Sequence, residues 1–163
     1  MRLLNGRGQL GEALKPYSNK NSIVDLYHSW IFDDKTYQTQ AKQFDKFRDY
    51  FFSRDKERKP VFISTGVAGS GPYFDFKKLA ERCIEDNCSN YLIIRLPNII
   101  GKGIFTKFRD EDVKPYGVID FLSMDETVEF ILQNALIKTG IITPPSWSIS
   151  AETLKKLVGF IKQ

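Results

Sequence analysis

Of the 163 residues, one is histidine and two are cysteine, which is too few for the His/Cys sets that hold zinc. Cys83 and Cys88 fall near the end of one expected helix, and they read as a buried and a surface thiol in a reducing compartment. Long apolar runs are also missing. No stretch reaches the roughly 18 apolar residues of a membrane span, and Asn5 and Gly6 come before any signal-like run. The expectation is a soluble, cytoplasmic protein without a metal or a membrane partner. Charge of one sign is scarce too: the net charge is +4, which suits an anionic ligand and falls short of a nucleic-acid surface. Repeats, low-complexity segments and interdomain linkers are absent from the sequence.

What is present is the composition of one globular domain, with 42% hydrophobic residues and a length that fits a single unit over residues 1–163. "RLLN" is a short apolar strand that runs into glycines, and "GQLGEALK" begins a helix that Pro16 and "SNKN" close. "SIVDLYHSW" supplies a second strand ending near His28. Tyr37, Ala41, Phe44, Phe47 and Phe51 recur at helical steps over residues 36–52. "KPVFIST" is a continuous apolar strand of the kind buried on both faces. After "GVAGSGP", the residues Phe76, Leu79, Ala80, Cys83 and Ile84 mark a helical stripe, and "YLIIRL" is a fourth strand. Ser123 and Glu126 have capping-box spacing ahead of a helix with Val128, Ile131, Leu132, Ala135 and Leu136 on its apolar side. A strand around "GIIT" and a helix carrying Leu154, Leu157, Val158 and Ile161 complete the pattern. Strands alternating with helices imply a mostly parallel sheet with helices on both faces.

Two groups of residues point to chemistry. Gly6, Gly8 and Gly11 have the G-x-G-x-x-G spacing that turns the chain tightly, brings bare backbone to a pyrophosphate and packs a helix on its strand. No Gly-Lys-Ser/Thr follows, which excludes a Walker-type loop. Three close glycines also serve an ordinary turn, and their place directly after a first strand favours the cofactor reading. Tyr73 and Lys77 stand four apart on one helix face, downstream of Thr65 at a strand end. An ammonium beside a phenol lowers its pKa, so such a tyrosine can exchange a proton with a carbonyl or alcohol oxygen. The same spacing also arises by chance on any helix.

Together, and in this order, these motifs resemble the extended short-chain dehydrogenase/reductase family of NAD-dependent nucleotide-sugar epimerases, dehydratases and reductases. "NGRGQLGEAL" is most similar to the cofactor turn of dTDP-4-dehydrorhamnose reductases. "DLYHSW" is similar to the family's Asp-x-x-x-His strand, "VFIST" to its Ser/Thr strand, and "YFDFKKLAE" to its Tyr-x-x-x-Lys helix. "IIRLPNIIGKG" is similar to its Arg-x-x-Asn-x-x-Gly segment, and "DFLSMDETVEFI" to the segment leading back to the cofactor domain.

The resemblance implies NAD or NADP as cofactor, with Gly6, Gly8 and Gly11 at its pyrophosphate. It implies Thr65 as the carbonyl-orienting hydroxyl, Tyr73 as the acid/base, and Lys77 on both Tyr73 and the nicotinamide ribose. Asn98 would contact a nucleotide-sugar substrate. His28 either contacts the cofactor or braces backbone at a strand end. Arg7 either meets a ribose phosphate or is solvated, and Arg95 reads as structural. A homodimer through the helices over residues 36–52 and 75–86 is the family's arrangement.

Three departures qualify this. Only "PYSNKN" stands where the family places two further strands and a helix, the loop from Thr65 to Tyr73 is short, and the substrate lobe is reduced. The expected fold is therefore a Rossmann-like three-layer α/β sandwich of about five strands that lacks the usual second and third. The expected activity is oxidoreduction or epimerisation at a sugar carbon in surface polysaccharide synthesis. A non-catalytic nucleotide- or partner-binding protein on the same fold is the alternative.

Overall fold

A computed structural model describes residues 1–4, 6–28, 30–31, 34–100 and 117–160. Of the expected features, Gly101, Ile161 and the side chain of Val158 lie outside the described residues. Five parallel strands form the main sheet: β1 (Arg2–Leu4), β2 (Val24–Tyr27), β3 (Lys59–Thr65), β4 (Leu92–Leu96) and β7 (Gly140–Ile142), in the order β1-β2-β3-β4-β7. The helices between them are α1 (Gly8–Leu14), α2 (Tyr37–Ser53), α3 (Pro72–Asn87) and α4 (Met124–Asn134). A last helix, α5, spans Ala151–Phe160.

Alternation along the strands sorts the core into two layers. Val24, Leu26, Val61, Ile63, Leu92, Ile94 and Leu96 pack with Leu10 and Leu14 of α1 and Val128 and Ile131 of α4. The intervening Tyr27, Phe62 and Ile93 face the other way and pack with Phe47 and Phe51 of α2 and Ala80 and Ile84 of α3. The result is the expected three-layer sandwich with a doubly covered parallel sheet.

In the doubly wound order 3-2-1-4-5-6 the first strand is central, with the second and third beyond it. Here β1 is an edge, and the strands after it follow in sequence, as expected if that half is missing. The link after α1 covers the exposed edge. A 3₁₀ turn over Lys15–Tyr17 brings Ser18 Oγ to accept from Leu3 N (3.1 Å), while Asn19 N donates to Met1 O (2.8 Å). The outward N–H of Leu3 and the adjoining Met1 carbonyl are thus paired locally, which helps to cover the edge.

At the amino end of the sheet, the fully buried Asp25 carboxylate accepts from Arg2 Nε (2.6 Å) and the Tyr50 hydroxyl (3.4 Å), with Arg58 at 3.7 Å. The buried Lys59 ammonium donates to the carbonyls of Ala135 (3.0 Å) and Lys138, closing the end of α4 against β3. Ser123 and Glu126 form the expected capping box.

Several expectations need correction. Tyr37, Leu79, Leu136 and Leu157, assigned to apolar stripes, are exposed. Leu136 lies past the end of α4, where helical periodicity no longer fixes direction. A second sheet was not expected. β5 (Asn98–Ile100) runs parallel to β6 (Val118–Ser123), and β8 (Trp147–Ser150) pairs antiparallel with β6.

Phe47 is 1% exposed and touches the rings of Tyr27, Trp30, Phe44, Phe51 and Phe62. Phe47→Ala should lower the unfolding free energy by about 3–5 kcal/mol, whereas Ile137→Ala, at a site 74% exposed, should change it by about 0.5 kcal/mol or less. Urea titration of both variants checks the contrast.

Candidate functional site

Because the strands of the main sheet are parallel, whatever follows each of them lies at one edge. The glycine turn follows β1, His28 follows β2, Thr65 ends β3, Tyr73 and Lys77 open α3, and Asn98 follows β4. The six residues of the two sequence groups, with His28 and Asn98, thus belong to the carboxyl edge, where open α/β sheets bind ligands.

The glycines differ in what they do. Gly8 has φ +77°, in the left-handed region, and a Cβ added there would meet nothing within 4 Å. Its backbone is open to approach. At Gly11 an added Cβ would stand 2.4 Å from Gly6 C and 2.7 Å from His28 Nε2, and at Gly6 it would stand 2.4 Å from the Leu3 side chain. These two positions are closed by packing and need glycine for the close crossing of turn and helix. Arg7 is exposed and has the extended backbone of a helix N-cap.

His28 braces backbone: its Nε2 lies 2.9 Å from Arg7 O. Burial pushes the pKa of the ring below its ordinary value, and the charge of Lys77 acts in the same direction.

Lys77 is 3% exposed. Its ammonium donates to Ile63 O at 2.6 Å and lies 4.7 Å from the Phe62 ring centre and 4.9 Å from that of Trp30. Burial pulls its pKa down to about 7, partly offset by Glu81. The expectation that this ammonium lowers the Tyr73 phenol is not met. Burial instead pushes that phenol up to about 12. The spacing of four placed both residues on one helix, but the long lysine stem reaches down to the sheet, where a strand carbonyl and two aromatic faces receive the charge.

Val67 N donates to Thr65 Oγ1 at 3.2 Å, so the hydroxyl proton is left for another acceptor. Arg95 makes a two-pronged contact with the buried Glu81, Nη2 to Oε2 at 2.6 Å and Nε to Oε1 at 3.2 Å, in keeping with its structural reading. Asn98 donates its amide to Asp120 O at 3.1 Å and so ties β5 to β6. Beside Thr65 a cleft of about 360 Å³ runs under the Gly66–Gly69 loop along α3, lined also by Lys78, Arg82 and Arg95. Thr65 and Lys77 of the sequence motifs line it as well, and sequence reasoning missed the rest of the cleft because Lys78, Arg82 and Arg95 come from two separate elements and belong to no motif that marks a site. Among the described residues, no group of three His, Cys, Asp or Glu side chains is arranged to hold a metal ion, and no helix is long and apolar enough to cross a membrane.

No protein-family model and no curated protein matches the chain. Solved structures do match in fold. The enzyme WbmG of Bordetella bronchiseptica, solved with NAD, superposes with a TM-score of 0.72 at 12% identity, covering 100% of this chain and 79% of that one. The two share a Rossmann-like α/β fold. dTDP-4-dehydrorhamnose reductase of Bacillus anthracis, solved with NADP, gives 0.73 at 13% identity over 99% and 81% of the two chains. The capsular polysaccharide assembling protein CapF of Staphylococcus aureus gives 0.66 at 16% identity. This chain covers all of its own length but spans only 58% of CapF.

The placement of Lys77 gives a pH test. Its pKa is about 7 in the folded protein against an unperturbed value of about 10.4, so the unfolded chain binds more protons between those values. The contribution of Lys77 to stability should therefore rise from about pH 7 to about pH 10 and fall back as the pH drops to 7. Lys77→Met should remove that slope. Denaturant titrations of both proteins at pH 7 and pH 10 measure it.

Proposed function

We propose that the chain binds NAD or NADP across the carboxyl edge of its sheet and acts as an oxidoreductase or epimerase on a nucleotide sugar. The observation that carries this reading is the convergence of the glycine turn, Thr65, Tyr73 and Lys77 on one edge of a Rossmann-like sheet. The residues fit the cofactor in part. The open backbone at Gly8 suits a pyrophosphate, while the strands that would flank an adenosine are missing from the sheet order, so that half of the dinucleotide has a reduced pocket.

When bound, the nicotinamide supplies or accepts hydride. The chain's own part is to orient and to move a proton. The Thr65 hydroxyl donates to the sugar carbonyl oxygen and fixes its position. The Tyr73 hydroxyl gives its proton to that oxygen on reduction and takes it back on oxidation. Lys77 would assist by its charge, and to do so its ammonium must leave Ile63 O. Asn98, already tied to β6, offers its remaining amide oxygen to the substrate. The structural likeness to a capsular polysaccharide assembling protein supports a place in surface polysaccharide synthesis. A homodimer through α2 and α3 is supported by Tyr37, Phe52 and Leu79, which are exposed on those helices.

One observation favours a second reading. A lysine held at Ile63 O and a tyrosine with a raised pKa suit a protein that keeps the ligand site without turnover.

Titration of NADH and NADPH followed by nicotinamide fluorescence tests the binding. Saturable binding is expected, lost in a folded Gly8→Val variant because the side chain blocks backbone approach. Assays with keto-sugar nucleotides then separate the two readings. For an enzyme, Tyr73→Phe keeps cofactor affinity and loses roughly 10²-fold or more in rate. A wild type that binds the dinucleotide and turns over none of them supports the non-catalytic reading, and one that binds neither dinucleotide removes both.

A further inference from the structure

We infer that His28 is a positioning residue whose ring holds the Arg7–Gly8 peptide in the orientation that presents the Gly8 N–H to an anionic ligand. The inference rests on the reading of the glycine turn as a pyrophosphate site and names the group that sets the turn's geometry.

A carbonyl oxygen only accepts, so the 2.9 Å contact with Arg7 O assigns the ring proton to Nε2. That donor is then committed to the protein and is not free for a cofactor. A trans peptide is planar, with its C=O and the following N–H pointing in opposite directions, and no described peptide bond is cis. Drawing the Arg7 carbonyl toward His28 therefore turns the Gly8 N–H away from it, beside an α-carbon with open space around it.

The ring has little freedom to drift. Nε2 lies 2.7 Å from where a Gly11 Cβ would be, and Gly6 C and O lie 2.4 and 2.7 Å from the same point, so ring, turn and helix start are packed against one another. Burial pushes the pKa of the imidazole below its ordinary value, the direction that favours the neutral ring.

The test uses the full chain as wild type, His28→Ala and His28→Gln, whose amide can donate in place of Nε2. Each is titrated with NADH and with inorganic pyrophosphate, and the Gly8 amide resonance is followed by NMR. His28→Ala should weaken both ligands by roughly tenfold or more, the effect of one misaligned hydrogen bond to a charged group. His28→Gln should recover most of the loss, and pyrophosphate should shift the Gly8 amide in the wild type and in His28→Gln but not in His28→Ala. Equal affinities in all three folded proteins overturn the inference and leave the glycine-turn reading intact. Failure of His28→Gln to exceed His28→Ala also overturns it. If His28→Ala does not fold, a Gly8 amide unmoved by saturating pyrophosphate in the other two overturns it, and a shifted one with near-equal affinities supports it. A wild type that binds neither ligand removes the glycine-turn reading together with the inference.

Discussion

The structure depends on β1 being an edge strand. A strand with one partner must satisfy its outer polar groups by other means, and here Ser18 pairs the Leu3 N–H and Asn19 the adjoining Met1 carbonyl within a few residues of the end of α1. That short return lets α1 lie on the face opposite α2 and α3 although the strand order steps one way from β1 to β4. The β1–α1–β2 connection therefore has the opposite hand to the two that follow, and one of those hands is the left one that parallel crossovers almost never adopt. A doubly wound sheet from which the second and third strands are removed leaves this arrangement, because the first strand's helix keeps its own face while the chain returns on the wrong side of the strand.

The same constraint shapes the site. With β1 at the edge, the glycine turn stands at the margin of the sheet, and the His28 ring and the close crossing of Gly6 and Gly11 hold its geometry. Lys77, one strand further in, is drawn down to Ile63 O and the faces of Phe62 and Trp30. Between them, the His28 ring contacts the turn at Arg7 O.

Much of the fold was legible in the sequence, for identifiable reasons. "KPVFIST" is continuous and apolar because β3 is central and covered on both faces. Phe47 and Phe51 sit on the stripe facing the sheet, and Ser123 with Glu126 needs only local hydrogen bonds to announce α4. β5 and β8, by contrast, are three and four residues long and partly exposed, so no alternation could reveal them. Of the site, the glycine spacing and the Tyr-x-x-x-Lys spacing could be read because each is fixed by one local element. Where the lysine charge goes could not, since that depends on Ile63, Trp30 and Phe62 meeting from separate parts of the chain. The same holds for the choice His28 makes between cofactor and backbone.

The central claim is that the carboxyl edge of the five-stranded sheet is the ligand site even though the sheet lacks its outer strands. Hydrogen exchange read by mass spectrometry, with and without saturating NADH, tests it most directly. Slowed exchange at residues 6–11, at the end of β2 and from the end of β3 into the start of α3, with no change in α4 and β8, is the predicted result. Protection confined to the cleft between α4 and Pro144–Trp147, with the glycine turn unchanged, would contradict it.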